Sequence, residues 1–289
     1  MPTASALAPL VNVYTIRVGP PRTIVVPKAS ELASLQDVAV SGTLLKKQVI
    51  SLDPATGRRT VRLGQNGGAY AIEADGDLHF CLGVKPLQPH ITCEVQHATP
   101  YLSTFQGAVG GPITATGYFR CLFEHPGFRP EDDAHIFEIH PVRAADLAGQ
   151  AIPFDVGIPD PGSIHTWLYP HPLNMQDSRI RVAYEPVTDT LTFTNMEGED
   201  ENYVQVVGAV SAIHPSPGGS APGTFTFTSG DIGHPIQVLV LQGTRAVGQL
   251  ANLTTTSITL VALRGIDLRQ ALAGRYVILL LAIDIQPGP

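Results

Sequence analysis

Apolar and polar residues alternate in short runs along most of the chain, and this period of two predicts β-strands. Turn residues separate the runs, as in the segment DPATG at residues 53–57. In the first half, strands are predicted at residues 11–18, 23–26, 38–44, 47–52, 60–63, 78–82, 91–95, 113–123 and 136–142. In the second half, they are predicted at residues 179–184, 190–194, 203–213, 224–228, 236–241, 257–263 and 276–285. Short strands at turn-rich intervals favour a barrel or a sandwich.

The length of 289 residues is about twice that of an ordinary domain and therefore predicts two domains. A stretch rich in proline and glycine, AIPFDVGIPDPGS at residues 151–163, lies near the middle of the chain. We predict an extended arm over residues 1–30, a β-barrel domain over 31–148 and a β-sandwich or second small barrel over 149–289. Short helices are predicted at residues 144–148 and 267–273.

The last predicted strand is apolar on both faces, since residues 276–283 read YVILLLAI. A strand of this kind must be central in its sheet or covered by another chain, because an exposed apolar edge promotes aggregation.

Charge is scarce, at 15% of residues, and the net charge is −7. The 18 basic residues are spread thinly, so we expect no nucleic-acid partner. The N-terminus lacks the basic and continuous apolar regions of a signal peptide, and no run is long enough for a membrane helix. These features favour a cytoplasmic location. The three cysteines lie in apolar runs, and we expect Cys93 in particular to be buried and unpaired.

Several acidic and histidine side chains fall on the polar faces of strands in the first domain. Alternation places Leu78, Phe80 and Leu82 on one face, and Asp77 and His79 on the other. If the strands are neighbours, one polar surface contains Asp77, His79, Glu94, Glu138 and His140, with His125 at its edge.

Histidines with a carboxylate can bind zinc or another divalent metal, and a His–Glu pair can act as a general acid and base. The alternative is that these groups hydrogen-bond to one another and stabilise the barrel. Zinc motifs with short spacings, such as HExxH, are absent from the sequence. We therefore assign no catalytic residue and no cofactor. Binding of a divalent metal stays the alternative to this structural role.

Four segments of the first domain form an ordered set of motifs. They are DGDLHF at residues 75–80, ITCEV at 91–95, TGYF at 116–119 and EIHPV at 138–142. The set resembles bacterial proteins that carry a DGDxH motif and a terminal E-[IL]-H-P-V strand. The resemblance spans about residues 35–145 and implies an OB-like barrel, with a layout similar to that of staphylococcal-nuclease-like domains. No activity is established for that set, and only Arg120 matches the basic catalytic residues expected of a nuclease.

The leading functional hypothesis is a non-catalytic structural or binding module that acts through self-assembly or protein docking. One alternative is a metal-dependent hydrolase that uses the His/Glu surface. Another is a carbohydrate-binding module, because Trp167 and Tyr169 lie in a loop with two histidines and can stack on a sugar.

The predicted arm is apolar enough to need a partner, with seven large apolar residues between positions 7 and 18. An extended segment of this kind can add as a strand to an exposed sheet edge. We therefore expect a homo-oligomer or polymer in which the arm crosses between subunits.

Overall fold

Strands dominate the computed structural model, which describes residues 1–73, 76–129, 133–153, 179–196, 203–214, 223–230, 232 and 234–289. Its helices are α1 (Ala4–Val11), α2 (Ala29–Ser34), α3 (Gln65–Gly68), α4 (Leu102–Ala108), α5 (Arg245–Ala251) and α6 (Leu268–Leu272). The strands up to residue 153 are β1 (Thr15–Arg17), β2 (Thr23–Pro27), β3 (Asp37–Leu45), β4 (Gln48–Leu52), β5 (Arg59–Leu63), β6 (Leu78–Gly83), β7 (Ile91–Val95), β8 (Pro112–His125), β9 (His135–Leu147) and β10 (Gln150–Pro153). The later strands are β11 (Arg181–Glu185), β12 (Thr190–Thr194), β13 (Tyr203–His214), β14 (Gly223–Thr228), β15 (Ile236–Val240), β16 (Ser257–Ile266) and β17 (Ile278–Pro287).

The chain divides into two compact units. Of the described residues, the first unit contains those up to 153, 179–196 and 268–276, and the second contains those between 203 and 267 and 277–289. This division differs from the predicted domains, because β11, β12 and α6 belong to the first unit. Strand β12 pairs with β2, about 165 residues earlier in the chain, and alternation within a strand does not reveal such a distant partner.

The first unit contains a closed five-stranded barrel. Around the ring the order is β3, β6, β7, β9 and β8, and β8 pairs with β3 to close it. Strand β7 runs parallel to β9, whereas the other pairs are antiparallel. Helix α4 connects the third barrel strand to the fourth, and its Phe105 packs against Phe80. This is the Greek-key order of an OB-like barrel.

The second unit is also a closed barrel, so the alternative of a sandwich does not apply. Its order is β13, β14, β15, β17 and β16, with β15 parallel to β17 and α5 between the third and fourth strands. The two barrels therefore share one strand order. Of the two alternatives for the apolar last strand, the structure shows a strand paired on both edges, because β17 pairs with both β15 and β16.

The N-terminal residues do not form the predicted extended arm. Residues 4–11 form helix α1, which buries Ala4, Leu7, Ala8 and Val11 and packs against strands of the first barrel. Strands β1 and β2 follow and join β12 and β11 in a four-stranded sheet of the same unit. The apolar positions 4, 7, 8 and 11 have the spacing of one helix face, and their burial within the unit stabilises the helix. The short helix predicted at residues 144–148 is also wrong, since β9 continues to Leu147.

None of the helices in the described part of the chain is both long and apolar enough to cross a membrane.

The three cysteines are buried and form no disulfide, as predicted for Cys93. Burial raises the pKa of the Cys81 thiol to about 12, so little reactive thiolate forms at neutral pH. We expect Ellman's reagent to leave all three thiols unmodified in the native protein and to modify them within minutes in denaturant. Rapid labelling of a single thiol without denaturant would contradict this packing.

Candidate functional site

Four neighbouring strands of the first barrel place charged side chains on the same face. In the strand pairing, His79 of β6 lies opposite Glu94 of β7, and Glu138 of β9 lies opposite Arg120 of β8. We call Asp77, His79, Glu94, Arg120, Glu138 and His140 the polar face. The structure therefore brings together five of the six residues proposed from sequence. They do not form a surface, because Glu94 and His140 are at most 1% exposed.

Ion pairs connect these side chains into a continuous chain. Glu73, in the loop before β6, contacts both Lys47 Nζ at 2.5 Å and His79 Nδ1 at 2.9 Å. The other ring nitrogen of His79, Nε2, lies 2.9 Å from Glu94 Oε2. The same carboxylate oxygen lies 3.0 Å from His140 Nδ1. Glu94 therefore bridges the two histidines.

The chain continues from His140 to Arg120. His140 Nδ1 lies 3.5 Å from Glu138 Oε1, and this oxygen accepts a hydrogen bond of 2.7 Å from Arg120 Nε. Arg120 Nη2 also contacts Glu138. The second oxygen, Oε2, lies 3.5 Å from His135 Nε2. The carboxylate of Glu138 therefore balances the positive charge of the Arg120 guanidinium, which is only 1% exposed.

Neighbouring charges outweigh burial in setting the pKa values of the histidines and glutamates of the polar face. Burial alone lowers the pKa of His79, but Glu94 and Glu73 outweigh it and hold that pKa well above its usual value. Burial likewise opposes the charged form of His140, and Glu94 raises its pKa on balance. Burial raises the pKa of Glu94 and of Glu138, and the neighbouring cations hold both well below the usual range. The neighbouring carboxylates therefore favour the protonated form of both histidines.

His125 lies beside the polar face, in contact with Glu124 and His135. Its Nε2 lies 3.5 Å from Glu124, and its ring packs near that of His135 with 5.3 Å between centroids. Burial, followed by the charge of His135, lowers the pKa of His125 to about 4. Burial raises the pKa of Glu124 to about 7, against the effect of Arg120.

Sequence reasoning missed three partners of the polar face: Lys47, Glu73 and His135. Lys47 and Glu73 lie outside the strands of the ring, so alternation assigns them no face. His135 is the first residue of β9, one position before the strand predicted from residue 136. Arg120 stood out only as a match to a nuclease residue. The clue available from the sequence was that Arg120 occupies an even-numbered position in β8. Its side chain there shares a face with that of Glu138, its partner in the strand pairing.

Two overlapping groups on the polar face have the composition and spacing of metal ligands. Asp77, Glu94 and His140 form one group, and His79, Glu94 and Glu138 form the other. Within each group the ligand atoms all lie within 4.8 Å of one another. Imidazole and carboxylate donors in this number suit zinc.

A two-stranded ribbon, β4 and β5, is inserted between the first two strands of the barrel. The outer edge of β4 is attached to the rest of the unit. Ile50 N donates to Asp133 Oδ1 at 3.0 Å, Ala134 N donates to Ile50 O at 2.7 Å, and Gln48 N donates to Cys81 Sγ at 3.2 Å. In the described residues, by contrast, β5 has β4 as its sole strand partner.

Trp167 and Tyr169, the residues proposed for stacking on a sugar, lie outside the described residues.

No model of a known protein family matches the chain, and no curated protein sequence matches it. Among solved structures, it is similar to the single-stranded DNA binding protein from Thermus aquaticus, with 13% identity and a TM-score of 0.23 over 88% of this chain and 93% of that one. It is also similar to a murine DNA binding protein bound with double-stranded DNA, with 8% identity and a TM-score of 0.22 over 87% of this chain and 100% of that one. Scores this low carry no argument about function.

Two expectations about partners need correction. We do not retain the expectation that nucleic acid is excluded: both solved structures are DNA-binding proteins by name, and their low similarity neither supports that exclusion nor assigns a partner to this chain. The arm that was to cross between subunits packs on its own unit, where Leu7 and Val11 are buried. An oligomer formed through this segment is therefore not supported.

Proposed function

We propose that this chain is a non-catalytic binding module that docks another protein, and that β5 pairs with an extended acidic segment of the partner. The observation that carries the proposal is the asymmetry of the β4–β5 ribbon. The edge of β4 is bonded to the barrel, while Thr60, Arg62 and Leu63 of β5 are exposed. An exposed edge strand can gain main-chain hydrogen bonds from an added strand.

The charge of the ribbon favours an acidic partner. Residues 48–63 include three arginines and one acid, Asp53, although the net charge of the whole chain is −7. Asp53 is engaged in its own turn, where Oδ1 accepts a hydrogen bond of 2.9 Å from Ala55 N. Arg59 is held over the Tyr14 ring at 4.1 Å and donates to Tyr14 O. Arg58 and Arg62 are exposed and remain accessible to the partner.

The polar face supports a structural role better than hydrolysis. Both ring nitrogens of His79 lie 2.9 Å from carboxylate oxygens, and Glu94 and His140 are buried. A hydrolytic site requires groups that can reach a substrate and an attacking water. The ion pairs instead connect Lys47, directly before the ribbon, to the barrel strands.

The test measures binding of a fluorescent peptide with alternating glutamate and valine by anisotropy. We expect saturable binding, weakened about tenfold or more by the double charge reversal Arg58→Glu and Arg62→Glu, since each exposed pair contributes up to about 1 kcal/mol. The matched control reverses Arg181 and Arg275, two exposed arginines of the same unit, and should bind like the unmodified chain.

Strand addition is tested separately with a peptide of the same charge that is N-methylated at alternate residues. Methylation removes main-chain donors, so we expect it to abolish binding. Equal affinity of both peptides, or no binding of either, would refute strand addition at β5. Tighter binding of a single-stranded oligonucleotide would instead identify the ribbon as a nucleic-acid site.

A further inference from the structure

We propose that Asp77, Glu94 and His140 form a structural binding site for a divalent cation, with zinc the best match. This inference stands on buried residues of the first barrel and does not depend on what β5 binds. The three residues belong to different parts of the barrel. Asp77 directly precedes β6, Glu94 lies in β7 and His140 lies in β9. A shared cation would connect these three strands.

The geometry is close to that of a bound site. One ligand atom from each residue lies within 4.8 Å of the others, and Glu94 Oε2 is 3.0 Å from His140 Nδ1. Zinc bonds of roughly 2.0–2.2 Å to nitrogen and oxygen keep tetrahedral ligand atoms about 3.4 Å apart. The Glu94–His140 pair, at 3.0 Å, is about 0.4 Å closer than this. The remaining ligand distances are at most 4.8 Å, so side-chain adjustments of about 1 Å would complete the site.

An independent observation concerns the second oxygen of Glu94. Oε1 is buried and has no hydrogen-bond partner in the part of the chain that the structure describes. A buried carboxylate oxygen without a partner is costly, and such an atom needs an explanation. A cation at the site would coordinate it.

The charge of the polar face points the same way. Asp77, Glu94 and Glu138 are buried together with one guanidinium, that of Arg120. With neutral imidazoles, these four groups have an excess of two negative charges, and one divalent cation balances them.

Glu73 orients the ring of His79, a histidine that contacts Glu94 of the proposed site. Glu73 Oε1 lies 2.9 Å from His79 Nδ1, and the opposite nitrogen Nε2 faces Glu94 Oε2 at 2.9 Å. Carboxylate–histidine pairs of this kind fix the ring tautomer at metal sites. His79 shares Glu94 with the proposed site and belongs to the second group of candidate ligands. The burial of Asp77, Glu94 and His140 favours a structural site, because catalytic zinc keeps an open position.

The experiment uses the full chain, treated with a chelator, dialysed and titrated with zinc chloride. We expect one zinc per chain by elemental analysis after removal of excess metal. We also expect the midpoint of thermal unfolding to rise by about 5 °C or more when zinc is a hundredfold above its Kd. Substoichiometric zinc together with an unchanged midpoint would overturn the proposal, and this result requires no variant.

Two variants then locate the site. Asp77→Asn weakens a ligand with little change of volume, and we expect at least a tenfold loss of zinc affinity. Glu185→Gln changes an exposed carboxylate of the same unit and should leave the affinity unchanged. If Asp77→Asn does not fold, Glu73→Gln tests the same site through the orientation of His79. Equal affinity of the folded variants and the unmodified chain would place the zinc elsewhere.

Discussion

Replacement of Glu138 by glutamine should lower the free energy of unfolding by about 3–5 kcal/mol, the largest effect that we expect from a single substitution. Glu138 accepts a hydrogen bond from Arg120 Nε at 2.7 Å and lies near His135 and His140. Glutamine keeps the volume but removes the charge. Arg120 would then stay buried without a full counter-charge, since Glu124 is 3.8 Å away. Urea unfolding, monitored by circular dichroism, measures the loss.

The matched control is an ion pair at the surface of the same unit. Asp37 lies 2.5 Å from Arg143, and their side chains are 42% and 32% exposed. Asp37→Asn should therefore cost less than about 1 kcal/mol, because water and salt screen an exposed pair. Similar losses in the two variants would show that burial does not strengthen the Glu138 pair.

A double variant separates two contributions to stability. One is the destabilisation caused by a buried charge that has lost its counter-charge, and the other is the net stabilisation that the ion pair provides. Arg120→Met with Glu138→Leu removes both charges and keeps apolar volume. Buried ion pairs replaced in this way are often neutral in stability. We expect the double variant to be more stable than Glu138→Gln.

Local pattern predicted the strands of the first barrel well. The run at residues 91–95 coincides with β7, and the run at 78–82 differs from β6 by one residue. These strands alternate cleanly or are uniformly apolar, so the pattern is visible over five residues. Strands β8 and β9 are longer than predicted, because long-range pairing extends them beyond the apolar run.

The N-terminus shows why pattern reasoning can select the wrong period. Positions 4, 7, 8 and 11 have helical spacing, but the valine, tyrosine and isoleucine at residues 11–16 suggest a strand. Tertiary packing decides between them, since Leu7 and Val11 are buried within their own unit. A local pattern cannot reveal this contact. The mistaken arm led directly to the mistaken oligomer.

For the candidate site, alternation predicted which side chains share a face but not how deeply they are buried. The shared face of His79, Glu94 and His140 follows from a period of two. Their burial depends on covering residues from other elements, such as Glu73 at His79 and Gln48 at Cys81. Strand periodicity contains no information about those residues. A predicted polar surface is therefore a buried chain of ion pairs.

His90, directly before the third barrel strand, should make the stability of the protein sensitive to acid. Its side chain is 1% exposed, and burial lowers its pKa to about 4, against the raising effect of Asp133. The unfolded chain binds this proton near pH 6.5, so stability due to neutral His90 is present above that value and declines as the pH falls towards 4. Relative to a His90→Leu variant, the unmodified chain should lose about 2–3 kcal/mol between pH 7 and pH 4.5. Urea unfolding at several pH values measures this difference, in which the titration of all other groups cancels. A difference that does not change with pH would show that His90 is accessible to protons in the folded state.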